Sequence, residues 1–119
     1  MVAESVSPTT RKRRKRVPAG ILDEVIRRVV EVARPERIIL FGSAAKGRMG
    51  PNSDIDLLVI KRGRFDRGRV SEAIYTNLHG VGAAVDVIIV TPDEVERYRH
   101  ARCLVIAPAL AEGKVVYAA

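Results

Sequence analysis

With 119 residues the chain has room for one domain and a single modest core. Hydrophobic content of 47% and charged content of 29% are those of an ordinary globular protein, and no apolar run approaches the ~20 residues of a membrane span. One cysteine excludes an internal disulfide and a cysteine-based zinc cage, and the basic N-terminus leads into no apolar signal segment, so a cytoplasmic address is expected.

The formal net charge is +7, but Arg11, Lys12, Arg13, Arg14, Lys15 and Arg16 alone supply six positive charges, which leaves the remainder at 7 − 6 = +1. Residues 1–18 therefore read as a basic, self-repelling, disordered tail. Such a tail is either simply solvated or an arm for RNA or an acidic partner surface; no aromatic residue interleaves with it to stack on bases.

Past Pro18, Ile21, Leu22, Val25, Ile26, Val29 and Val30 recur at three and four, which predicts an amphipathic helix ending near Arg34-Pro35. Residues 37–41 then read as a first strand. Gly42 permits a tight turn close to a ligand, and Ser43 is placed to cap a short helical turn over residues 44–46, whose free N–H groups and hydroxyl suit a phosphate. After a loop with strong turn chemistry at residues 50–53, a second strand runs from Asp54 to Ile60. Only ten residues join Ser43 to Asp54, so these two strands are expected to be antiparallel neighbours.

Asp54 and Asp56 are two apart in that strand and so share a face, side by side at the mouth of an apolar segment. Adjacent carboxylates repel, and a hard divalent cation between them is the economical remedy. Residues 61–69 form a basic connection, read first as solvated and second as a partner-facing patch. Val70, Ala73, Ile74 and Leu78 mark a second amphipathic helix, stopped by Gly80 and Gly82. A helix between two apolar strands implies a parallel crossover, which sets a third strand at residues 84–90 beside the second. Asp86 then comes level with Asp54 and Asp56. Its apolar neighbours would make it a costly buried charge unless it completes the same cluster. Thr91, Pro92 and Glu94 form a complete helix start, Pro108 falls early in a last short helix ended by Gly113, and residues 114–117 suit an edge strand. His79 and His100 fall away from the acids. The expected fold is α/β (α+β), a small mixed sheet of three to four strands packed by helices.

Three carboxylates beside a phosphate-seating turn suit two-metal chemistry on a nucleoside triphosphate. A polar strand end with solvated aspartates is the structural alternative, and it fits Asp86 poorly. Gly42-Ser43, ten residues, Asp54-Ile55-Asp56 and the later Val85-Asp86-Val87 together resemble the signature of the DNA polymerase β-like nucleotidyltransferase superfamily. In size the chain is similar to the minimal nucleotidyltransferases (MNT), often encoded beside a helical HEPN partner. The resemblance covers roughly residues 21–117 and implies a polymerase β-like palm core over residues 19–119. It implies that Gly42 and Ser43 bind the triphosphate of ATP and that Asp54, Asp56 and Asp86 are the catalytic acids, holding two Mg²⁺ ions. Lys46 and Arg48 lie where basic residues would meet phosphates, although the signature does not fix them. It further implies an antitoxin that moves AMP from ATP onto a HEPN-type helical toxin protein, alone or in a homo- or hetero-oligomer. Two alternatives remain open: a nucleotidyltransferase acting on RNA such as a tRNA 3′ end, with residues 11–16 as an arm, and a non-catalytic neutralising module.

Overall fold

The computed structural model describes residues 19–45, 54–100 and 106–119. In chain order the elements are α1 (Ala19–Ala33), β1 (Arg37–Phe41), α2 (Gly42–Ala45), β2 (Ile55–Ile60), α3 (Arg67–Asn77), β3 (Val85–Val90), α4 (Pro92–Tyr98), α5 (Ile106–Glu112) and β4 (Lys114–Ala118). The strands form one mixed sheet in the order β3-β2-β1-β4. β1 pairs antiparallel with β2 and β4, and β2 pairs parallel with β3. This is the small mixed α/β sheet that the sequence predicts. No helix among the described residues is long and apolar enough to cross a membrane.

Strand alternation sorts the apolar side chains into two layers. Ile38, Leu40, Ile55, Leu57, Val59 and Ile89 face Val25 and Val29 of α1 and Ile74 of α3. Ile39, Leu58, Ile60 and Val90 face the opposite way, against Ile106 and Ala109 of α5 and the partly buried Val95 and Tyr98 of α4. β2 is flanked on both edges and covered on both faces, and Leu57, Leu58 and Val59 have no exposed surface. That is why six of its residues read as a nearly unbroken apolar run.

Polar contacts at the element ends fix the layers. The Lys61 ammonium donates to the carbonyl of Ala33 at 2.7 Å, capping the negative end of α1, and lies 5.6 Å from the Phe65 ring centroid. Arg28 donates through Nη1 to the carbonyls of Asn77 and His79 at the end of α3, and the Asn77 amide donates back to the carbonyl of Arg28. Asp66 caps the start of α3 through the N–H of Arg69, three residues or so before the apolar pattern of that helix becomes legible. The Thr91–Glu94 capping box forms as expected: the Thr91 N–H donates to Glu94 at 2.9 Å and the Glu94 N–H to the Thr91 hydroxyl at 3.2 Å.

The basic stretch over residues 61–69 is thus more than a solvated connection. Lys61 holds α1, Arg62 pairs with Glu36, and Arg67 donates to the carbonyl of Ile89 and pairs with Glu94. On the same side, the Tyr75 hydroxyl accepts the N–H of Val87 at 2.8 Å. Tyr75 and Arg67 therefore occupy backbone groups along the outer edge of β3, which would otherwise template pairing with another strand.

Candidate active site

The register of the sheet builds the site. Phe41 of β1 is opposite Asp56 of β2, and Asp56 is opposite Asp86 of β3. Side chains opposite one another in a sheet point to the same face, so Asp56 and Asp86 are immediate neighbours on the layer that also carries Leu58 and Ile60. Asp54, two residues before Asp56, joins them just ahead of β2. α4 and α5 cover the far, apolar end of this layer, and the acids lie at the other end: Asp54 and Asp86 are exposed and Asp56 is partly buried.

The electrostatics are those of three like charges in one place. Partial burial, and then the neighbouring charges of Asp86 and Asp54, hold the Asp56 carboxyl above the usual carboxylate range. Asp86 is also raised, first by a side-chain hydrogen bond with Asp54, then by desolvation and by the charge of Asp54. No lysine or arginine among the described residues forms an ion pair with any of the three.

Asp86 joins the cluster for a different reason from the one its sequence neighbours suggest. It is exposed near the start of an edge strand, and no polar or charged side chain among the described residues is buried. Burial cost does not drive it toward Asp54 and Asp56; the parallel register of β3 on β2 does.

Gly42 closes the site on the β1 side. Its φ of +73° is a left-handed conformation that side chains resist, and a Cβ built on it would run into Oδ2 of Asp56. The backbone turn after β1 therefore presses directly on a carboxylate of the cluster. The turn begins with Gly42 as the first residue of α2, two residues earlier than the capping pattern at Ser43 predicts, and Ser43 is its second residue. Lys46, Arg48, Cys103 and residues 11–16 lie outside the described residues. His79 and His100 are both exposed.

The donor set suits magnesium or another hard cation in its chemistry: carboxylate oxygens, mutually repelling, with no basic side chain among the described residues to neutralise them. As they stand, no three of the acids among the described residues form a ready-made cage. The alternation of Asp54 and Asp56 was legible in the sequence; the direct approach of Gly42 to Asp56 and the Asp54–Asp86 bond were not, since both depend on cross-strand register.

The two-acid strand start, the third acid opposite it on a parallel neighbour and the glycine turn against Asp56 lie together at one end of the sheet. The chain belongs to the nucleotidyltransferase domain family, whose model matches residues 21–114, and is a nucleotidyltransferase. Comparison with curated proteins returns no match. Among solved structures the fold is similar to a mutant of the toxin–antitoxin MntA–HpeT (20% identity, TM-score 0.55, covering 79% of this chain and 70% of that one). It is also similar to a toxin–antitoxin crystallised with AMP-PNP (24% identity, TM-score 0.51, covering 82% and 73%). A third similar chain is described as a nucleotidyltransferase from Sulfolobus solfataricus (20% identity, TM-score 0.50, covering 86% and 90%). These likenesses concern the fold.

Proposed function

We propose that the chain transfers AMP from ATP to a hydroxyl group of a partner protein, as the antitoxin of a HEPN/MNT toxin–antitoxin pair. The observation that carries the chemistry is the row Asp54, Asp56, Asp86 with the Gly42 turn against it. Two similar folds come from toxin–antitoxin proteins, one of them with AMP-PNP, which supports the choice of nucleotide and of setting.

In this reading Gly42 and Ser43 seat the triphosphate through the backbone of the turn, with Lys46 and Arg48 as further phosphate contacts. Asp54, Asp56 and Asp86 would hold two Mg²⁺ ions, which when bound would neutralise charge at the α-phosphate and lower the pKa of the attacking hydroxyl. The chain's own contribution is placement. Gly42, having no side chain, leaves room for the Asp56 carboxylate against the turn, and the β2–β3 register sets Asp86 opposite Asp56. The hydroxyl attacks the α-phosphorus, its bond to pyrophosphate breaks, the proton of the hydroxyl goes to solvent, and AMP remains on the acceptor.

A partner supplies the acceptor surface, because the described residues go largely into the sheet and the helices that cover it. The test is incubation with Mg²⁺, ATP and the protein encoded beside this one, followed by intact mass measurement. The expected result is an AMP-sized increment, or a series of them, on the partner. An unmodified partner that is nevertheless neutralised, also by a chain carrying Asp54→Asn and Asp56→Asn, would replace transfer with neutralisation by contact.

A further inference from the structure

Asp86 is the one acid of the three that an edge strand carries. It is exposed and second in β3, which the sheet order pairs with β2 on one side alone. The register sets it opposite Asp56, and like charges facing one another across a strand pair push the strands apart. The backbone of β3 shows what resists that push. The Ile55 N–H donates to the carbonyl of Ala84 and the Lys61 N–H to the carbonyl of Val90, both at 2.9 Å. The even-numbered residues of β3 therefore turn their backbone groups toward β2, and the odd-numbered ones turn theirs outward. The outward N–H of Val87 belongs to the same planar peptide group as the carbonyl of Asp86, and it donates to the Tyr75 hydroxyl at 2.8 Å. The peptide group that follows the Asp86 Cα is thus held from both sides, by β2 and by α3.

We propose that Tyr75 is a positioning residue for the transfer site: its hydroxyl, acting through the Val87 N–H, holds the edge strand so that Asp86 stays level with Asp56. The inference rests on the reading of Asp86 as a cation-holding acid, because groups behind metal-binding side chains keep them in the geometry a cation requires. Tyr75 is mounted to serve as a strut. Its helix is capped at the start by Asp66, and near its end the Asn77 amide donates to the carbonyl of Arg28 and to Glu31, while Arg28 donates to the carbonyl of Asn77. Tyr75 lies two residues before Asn77, so a rigid ring delivers its hydroxyl from backbone that is clamped to α1. At 42% exposure the ring is not a core residue, and the bond to Val87 is what gives it a place on the sheet edge. The other contact on this edge, from Arg67 to the carbonyl of Ile89 at 3.0 Å, falls toward the end of β3 away from Asp86. Tyr75 alone reaches the peptide group next to the acid.

The probe is Mn²⁺ alone, titrated into the isotope-labelled full chain, with its affinity and location read from the paramagnetic broadening of backbone amide signals. Broadening is expected at residues 54–56 and 85–87. Tyr75→Phe keeps the ring and removes the hydroxyl; it moves the midpoint of broadening to about fivefold more Mn²⁺, the equivalent of one hydrogen bond at about 1 kcal/mol, and speeds hydrogen exchange at the Val87 N–H. Arg67→Met removes the other outer contact of β3, and it lowers the melting temperature while leaving the Mn²⁺ midpoint where it was. Asp86→Asn sets the scale with a larger loss of affinity. An unchanged midpoint in Tyr75→Phe beside an impaired Asp86→Asn overturns the positioning role and leaves the acids standing. A loss in Arg67→Met equal to that in Tyr75→Phe also overturns it, because any loosening of the edge would then suffice. Unimpaired Mn²⁺ binding by Asp86→Asn overturns both the strut and the reading of Asp86 on which it rests.

Discussion

Replacing Gly42 by alanine perturbs stability and function through two separable causes. The left-handed φ of +73° costs an L-residue about 1–2 kcal/mol, which for a domain of this size lowers the melting temperature by roughly 5–15 °C. The added Cβ also meets Oδ2 of Asp56. That atom ends a short, rotatable side chain, so the carboxylate yields before the backbone does. Misplacing a metal-binding oxygen in this way weakens Mg²⁺-dependent ATP binding tenfold or more, about 1.4 kcal/mol. Gly80→Ala is the matched control, because φ there is +80° and the Cβ enters open space. Differential scanning fluorimetry and titration of a fluorescent ATP analogue with and without Mg²⁺ read the two effects. Both variants are expected to lose similar stability, and only Gly42→Ala to lose nucleotide affinity. Unimpaired Mg²⁺-dependent binding by Gly42→Ala would refute the inference that the turn positions Asp56.

Other substitutions probe the remaining parts of the account. Asp56 and Asp86 have raised folded-state pKa values, so the stability they contribute is full below about 3.8 and is lost as pH rises through those raised values. Asp56→Asn should raise the melting temperature of the metal-free protein at pH 7 and flatten its rise toward mild acid, while removing Mg²⁺-dependent nucleotide binding; a lower melting temperature at pH 7 would speak against like-charge repulsion. Glu24, held down to about 2 by hydrogen bonds first from Arg27 and then from Arg28, works in the opposite sense, and its contribution disappears as pH falls from about 4.5 toward 2. Arg34 takes a left-handed φ of 47° just past α1, so Arg34→Gly should stabilise the fold by up to ~1 kcal/mol in urea unfolding, an effect absent if the turn relaxes in solution. Leu58→Ala should cost about 2–5 kcal/mol, since the residue is fully buried in the central strand, and a loss below 1 kcal/mol would mean that the α5 layer collapses to fill the space.

The parts of the fold that the sequence makes legible are those set by local chemistry and by strand connection rules. Thr91, Pro92 and Glu94 specify a helix start without help from the rest of the chain, and the short link from Ser43 to Asp54 leaves little but an antiparallel pair. The helix between β2 and β3 brings those strands together in parallel, which places Asp86 opposite Asp56. Burial was harder to read. An apolar run such as residues 84–90 has the same pattern in a central strand and at an edge, and β3 is an edge whose outer groups are met by Tyr75 and Arg67. The contacts of Lys61 with Ala33 and of Arg28 with Asn77 join residues 28 and 49 apart, a separation no local pattern reports. Gly113 is of the same kind: it reads as a helix stop, but a Cβ there would collide with the carbonyl of Ala109, with Ile39 and with the carbonyl of Leu40, so it also lets the end of α5 lie directly on β1.

The central claim is that the acids at the start of β2 and β3 gather a divalent cation next to the Gly42 turn. The most direct measurement is a crystal structure grown with Mn²⁺ and a non-hydrolysable ATP analogue, with the cation located by its anomalous scattering. The account predicts an anomalous peak among the carboxylates of Asp54, Asp56 and Asp86, with the triphosphate against the backbone of Gly42 and Ser43. A nucleotide bound with its phosphates elsewhere, or an anomalous peak remote from these three side chains, would contradict it.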